Sequence, residues 1–166
     1  MGATLSAMDK YGDAIASLRE ALEINPTYHP AYNNIGNVFR NIGQHDEALE
    51  SYRKALVIEP GHSQAHNNLG ITLCDLGELD EALSCFSQAL ELQPNYSEVY
   101  SNLCVTLQKL GRLEEAERNC RRALELDSSF AIGHNNLGNI LRTLSDTEKA
   151  EISYQRAIEI DETYLA

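Results

Sequence analysis

AYNNIGNVFRNIGQHDEALESYRKALVIEP, residues 31–60, reads as two amphipathic helices with a tight turn between them. In the first half, Ala31, Ile35, Val38, Phe39 and Ile42 return at helical spacing and make one apolar stripe. Gly43 follows, a residue that accepts the left-handed conformation ending a helix. In the second half, Ala48, Leu49, Tyr52, Ala55, Leu56 and Ile58 make another stripe. Pro60 supplies no N–H and is expected to close that helix. Ala48 and Ala55 lie two turns apart on one face, where their small size lets paired helices approach. Tyr52, between them, fills the gap.

The same layout recurs along the chain with a step of 34 residues. Ala14, Ala48, Ala82, Ala116 and Ala150 form one series, and Ala21, Ala55, Ala89, Ala123 and Ala157 another. Pro26, Pro60 and Pro94 keep the step, as do Gly43, Gly77 and Gly111. A fixed period of this length marks a solenoid of stacked supersecondary units. The units are expected at 29–62, 63–96, 97–130 and 131–164, with a partial first unit at 1–28 and the opening of another at 165–166. Leu18, Tyr52, Phe86, Cys120 and Tyr154 share one place, so Cys120 is expected as a small core residue.

Composition narrows the function. Thirteen Lys and Arg stand against 25 Asp and Glu, for a net charge of −12. That balance argues against nucleic acid and anionic membranes as partners. No apolar run approaches the roughly 20 residues of a membrane span, and Met1–Tyr11 lacks the basic-then-apolar layout of a signal peptide. A soluble, cytoplasmic protein is expected. Cys74, Cys85, Cys104 and Cys120 lie inside helical patterns with no CxxC spacing, and read as free thiols in a reducing compartment. No phosphate loop or nucleophile motif is present, so no enzyme activity and no cofactor are expected. His66 and His134 lie two units apart, too far to share a metal ion, and read as packing or groove-edge residues.

The residues of 31–60, with the offsets kept across five units, resemble the tetratricopeptide repeat family. The resemblance covers essentially the whole chain. It implies an all-α, right-handed superhelical solenoid of antiparallel helix pairs. Departures are Ser128 and Glu162 where proline is usual, Ser145 for the turn glycine, and Cys104 for the glycine after Leu103. The resemblance further implies that the first helix of each pair lines a concave groove. By that carry-over the groove residues are Pro30, Asn33, Asn34, Asn37, Arg40 and Asn41. The next unit adds Gln64, Asn67, Asn68, Ile71, Cys74 and Asp75. The third adds Glu98, Ser101, Asn102, Val105, Gln108 and Lys109. The last adds Ile132, Asn135, Asn136, Asn139, Arg142 and Thr143.

Asparagine dominates this set although it is a mediocre helix former. Its amide offers one acceptor and two donors, the complement of a peptide group. One reading is a ladder that grips an extended backbone, one rung per unit, through Asn34, Asn68, Asn102 and Asn136. The other is that these amides bond to a neighbouring helix end or turn and set repeat geometry. The ladder is similar to the repeat region of O-linked N-acetylglucosamine transferases, whose groove asparagines hold substrate peptides. The places that carry basic residues in co-chaperone carboxylate clamps are Asn33, Asn37, Asn68, Glu98 and Asn102 here, which argues against that function.

The expected function is a non-catalytic interaction module that binds another protein or an extended peptide along an Asn-lined groove. The alternatives are a self-assembling scaffold and the substrate-recruiting part of a larger enzyme such as a glycosyltransferase. The helix at 148–160 carries Ile152, Tyr154, Ala157, Ile158 and Ile160, too many apolar residues to bury on one side. A fragment of a longer chain, or association through the repeat ends, is expected from it.

Overall fold

The structure, a computed structural model, describes residues 2–162, with side chains from Tyr11 onward. Residues 165–166, expected to open a further unit, lie outside the described residues. The described chain is helical throughout: α1 (Gly2–Ile24), α2 (His29–Asn41), α3 (His45–Ile58), α4 (Ser63–Leu76), α5 (Leu79–Leu92), α6 (Ser97–Lys109), α7 (Leu113–Leu126), α8 (Ala131–Thr143) and α9 (Thr147–Ile160). It is an all-α solenoid of helix pairs. Two compact units are resolved, Met1–Cys85 and Phe86–Ala166. In the first, α2 pairs with α3, α3 packs on α4, and α4 also lies against α2. In the second, α6 pairs with α7, α7 packs on α8, α8 pairs with α9, and α6 lies against α8.

The alanine series does what its size suggests. Ala31, Ala48 and Ala55 are fully buried in the first unit, as are Ala116 and Ala123 in the second. A side chain with no rotamers to freeze lets the backbones close up without entropic cost. Tyr52 is fully buried between its two alanines. An added Cβ at Gly36 would stand 2.6 Å from the Tyr52 ring, and one at Gly138 would stand 2.5 Å from the Tyr154 ring. Gly36 and Gly138 are therefore seats for the aromatics of their partner helices.

Gly43, Gly77 and Gly111 end the first helices of their pairs with φ of 78°, 83° and 74°. The next N–H donates back across the turn: Gln44 to Phe39, Glu78 to Leu73 and Arg112 to Leu107, each at 2.9 Å. This is the six-to-one closure of a Schellman ending. Ser145 holds the same conformation without being glycine, at φ 65°, and Asp146 closes back to Leu141 at 2.9 Å. The turn geometry thus overrides the side chain, at a cost of about 1–2 kcal/mol for a left-handed residue with a Cβ.

Proline does not determine where the second helices stop. α3 ends two residues before Pro60 and α5 two before Pro94, while α7 and α9 end at the same register before Ser128 and Glu162. The residue after the helix is extended in each capped case: Glu59, Asp127 and Asp161 have φ of −131°, −144° and −141°. At 127 a side chain replaces the ring constraint. The Asp127 carboxylate accepts from the Ser129 N–H at 2.9 Å and from its hydroxyl at 2.7 Å. An Asx turn of this kind holds the chain out of the helix.

The cysteine expectation is corrected. Cys104 of α6 and Cys120 of α7 are disulfide-bonded, with Cα atoms 5.3 Å apart, inside the normal range for the bond. Both are fully buried. Cys74 and Cys85 are not disulfide-bonded. The bond removes half of the thiols on which a reducing compartment was inferred. Helical periodicity hid the pair, because a separation of 16 residues places the two on different helices that meet only after the hairpin folds.

Candidate functional site

Asn33 and Asn34 are adjacent and identical, yet the fold treats them differently. Asn33 is 3 % exposed, while Asn34 faces solvent. Asn33 is covered because α4 packs beside α2. Asn67 is likewise buried and Ser101 is 2 % exposed. These fifth places were expected on the open face of the groove, and burial corrects that for Asn33 and Asn67. Asn135 stays half-buried. It lines a cavity of about 340 Å³ with Asn139, Arg142, Tyr154, Ala157 and Ile158.

The sixth-place amides reach sideways. In the first unit, the Asn68 amide donates to Asn33 Oδ1 at 3.0 Å, bridging α4 to α2. In the second, the Asn136 amide donates to Ser101 Oγ at 2.9 Å, bridging α8 to α6. Each bond joins a sixth place to the fifth place of the preceding pair. The partner is neither a ligand nor a turn; it is the next rung. Buried polar groups need such partners, since an unpaired one costs about 1–3 kcal/mol. The bond uses one of the two N–H groups of each amide. Asn68 is buried, Asn102 and Asn136 are half-buried, and Asn34 is exposed.

The ninth places have a different explanation. The Tyr52 hydroxyl donates to Asn37 Oδ1 at 2.8 Å, and the Tyr154 hydroxyl donates to Asn139 Oδ1 at 2.9 Å. Burial pushes the Tyr52 phenol up to about 12, against the pull of nearby Arg40, so it remains a donor. Asn37 and Asn139 therefore receive the hydroxyl of their own hairpin's aromatic. The sequence carries a readable signal for this. In the units whose aromatic is tyrosine the ninth place is asparagine; in the unit with Phe86 it is Ile71, and in the unit with Cys120 it is Val105. No hydroxyl means no amide.

Three fourth-place rings, His66, Tyr100 and His134, also have partners. The His66 Nε2 lies 3.0 Å from the Pro60 carbonyl oxygen, and the His134 Nε2 lies 3.1 Å from that of Ser128. The Tyr100 hydroxyl donates to the Pro94 carbonyl at 3.3 Å. Tyrosine and histidine interchange here because each projects one N–H or O–H at similar reach to the end of the preceding helix. This latch was not legible as a role, although the Tyr–His alternation pointed to a shared donor.

The remaining predicted residues form the periphery of these faces. Arg40, Lys109 and Arg142 sit in the last turns of α2, α6 and α8, where a cation complements the carbonyl end of a helix. Asn41, Lys109 and Arg142 are exposed; Ile71 and Val105 are half-buried. On the second helices, ion pairs run along single helices, as in Lys54–Glu50, Arg121–Glu117 and Arg156–Glu159. They are exposed and worth little individually. Among the described residues no group of three or more His, Cys, Asp or Glu side chains could hold a metal ion. No helix among them is long and apolar enough to cross a membrane. Burial first, then Glu81, pushes the Cys85 thiol up to about 11, so it stays protonated at neutral pH.

Comparison with known proteins fits this geometry. The sequence matches the tetratricopeptide repeat at 29–62 and 63–96 and again over 95–163, and a TPR repeat over 4–43. The chain belongs to the tetratricopeptide repeat family, an all-α protein-interaction fold. No curated protein matches the sequence. Among solved structures, PilW, described as a widely conserved type IV pilus biogenesis factor, is 25% identical with a TM-score of 0.86, over 95% of this chain and 73% of that one. MamA shares the fold at 19% identity and a TM-score of 0.80, over 98% and 95%. YrrB, described as a TPR protein with an unusual peptide-binding site, is 28% identical with a TM-score of 0.72, over 96% and 82%.

Proposed function

We propose that this chain is a non-catalytic module that binds an extended peptide or partner segment along the asparagine-bearing faces of its first helices. The sixth-place amides contact the backbone of the bound segment. The observation that carries this reading is the lateral bond at Asn68 and Asn136. It orients the amide before any ligand arrives and leaves acceptor and donor capacity in place. Preorganised groups lose less freedom on binding and so contribute more of their gross interaction energy. Asn34, Asn102 and Asn136, which retain exposure, are the main contacts. Arg40, Asn41, Ile71, Val105, Lys109, Asn135 and Arg142 flank them. Asn33 acts from beneath by accepting from Asn68, Asn67 is buried beside it in sequence, and Asn37 and Asn139 act by fixing tyrosines. The peptide-binding site described for YrrB supports the class of ligand.

The test begins with an extended peptide selected from a random displayed library. It is titrated against the wild type and against N34A/N102A/N136A, which leaves buried Asn68 untouched. Loss of about three hydrogen bonds at 0.5–1.5 kcal/mol each predicts at least a tenfold weaker complex. N-methylation of the peptide backbone should weaken binding similarly. Equal affinity of the triple variant refutes the reading.

Association between copies is a second reading, favoured by Ile152. This residue is 64 % exposed on α9 and borders a furrow of about 810 Å³ floored by Leu124 and Leu137. Sedimentation across a hundredfold concentration range decides it: I152E should remove any dimer, and a monomer throughout excludes it.

A further inference from the structure

Three residue combinations occupy the same repeat places in this chain. The eighth and twenty-fourth places face one another across the hairpin in α2–α3, α6–α7 and α8–α9. In α2–α3 they are Gly36 and Tyr52; in α8–α9 they are Gly138 and Tyr154. Each glycine is empty so that the ring can occupy the space of a Cβ, and each ring hydroxyl is received by the ninth-place asparagine. The sequence of 63–96 keeps the glycine and drops the hydroxyl, as Gly70, Ile71 and Phe86. In α6–α7 all three residues change together, to Cys104, Val105 and Cys120. The glycine has gained a thiol, the aromatic has shrunk to one, and the two sulfurs are bonded. The asparagine has become an apolar residue because no hydroxyl is there to receive.

We propose that the Cys104–Cys120 bond is a redox-set lock that replaces the glycine–aromatic clamp of the sister hairpins, so that the stability of α6–α7 alone depends on thiol oxidation. Two buried thiols do not replace a tyrosine ring. Reduced, the hairpin lacks both the ring packing and the covalent link. Closing proceeds by thiol–disulfide exchange with a small-molecule disulfide. One cysteine thiolate attacks it and releases one thiol; the second cysteine thiolate attacks the mixed disulfide and releases the other. A dithiol reductant runs the steps in reverse and leaves as its cyclic disulfide. Both sulfurs belong to fully buried residues, so exchange in either direction requires the hairpin to open first. The lock is therefore set at folding and resists reduction in the native state. Its effect falls on the helix carrying Asn102 and Val105, but the inference does not depend on what that helix binds.

The experiment compares protein folded with oxidised glutathione and the same protein unfolded, reduced with dithiothreitol and refolded in its presence. Thiol titration in denaturant should find two reactive thiols in the first, Cys74 and Cys85, and four in the second. Reduction should lower Tm by several degrees, as expected for a crosslink closing a loop of this length. Amide exchange should accelerate in α6 and α7 and stay unchanged in α2 and α3. C104G/V105N/C120Y rebuilds the tyrosine clamp, and C104G/C120F installs the glycine and phenylalanine that 63–96 carries at these places. Each that folds should have a Tm indifferent to reductant. Four titratable thiols in the glutathione-folded protein overturn the proposal. So does a wild type whose Tm and α6–α7 exchange are the same oxidised and reduced.

Discussion

Replacing Asn68 and Asn34 one at a time by alanine separates the lattice of rungs from the exposed amides. The two occupy the same place in successive units, so helix propensity treats them alike, favouring alanine by a few tenths of a kcal/mol at each. Their surroundings differ. Asn34 is exposed, and N34A should be neutral or stabilise by up to about 0.5 kcal/mol. Asn68 is 7 % exposed and donates to Asn33 Oδ1 at 3.0 Å, and Asn33 is 3 % exposed. Removing that donor leaves a buried carbonyl without its partner, at about 1–3 kcal/mol, and water has little access to replace it. Net of propensity, N68A should destabilise by about 1–2 kcal/mol. The double variant N33A/N68A should recover part of this, since no orphan acceptor remains. A coupling of about 1 kcal/mol is expected from the cycle. Urea unfolding followed by circular dichroism measures all four proteins, with equal m values required so that the free energies are comparable. If N68A matches N34A in stability, or if the two asparagines show no coupling, the side-to-side ladder is not a structural element of the fold.

Ser145→Gly should stabilise by about 1 kcal/mol, since glycine adopts the φ of 65° without penalty; a chemical melt that shows no gain contradicts the strain. Gly138→Ala should destabilise by about 1–3 kcal/mol, because its Cβ would stand 2.5 Å from the buried edge of Tyr154, and pairing it with Y154L should relieve most of the loss in the same assay. His62 packs edge-on against His29, with ring centroids 4.8 Å apart, and burial and then the His29 neighbour lower its affinity for a proton. Its neutral form is favoured in the fold, so the unfolded chain binds more protons as pH falls through the ordinary value of 6.5. Stability from this contact should be full above that pH and decline below it, and a pH series of melts on H62N should show a flatter acid limb than the wild type.

The helix pairs were legible because their determinants are local. Stripe spacing, paired alanines seven apart and a glycine after α2, α4 and α6 act within one unit, and repetition every 34 residues multiplies the signal. The glycine requirement even outlasts the glycine, as Ser145 shows. What the sequence could not rank was the fate of equivalent polar residues. Asn33 and Asn34 are one residue apart and chemically identical, but only after α4 lies on α2 is one sealed beneath Asn68 and the other left in water. Periodicity says which positions are alike; it does not say which atoms from different helices come within 3 Å. The disulfide and the tyrosine–asparagine bonds belong to that second kind of fact, since their partners lie 16 and 15 residues apart and meet only through hairpin closure. Hydrophobic burial tolerates an ångström of error and so can be read from a pattern, whereas a hydrogen bond or a sulfur–sulfur bond does not, and its partner is chosen by the packed backbone.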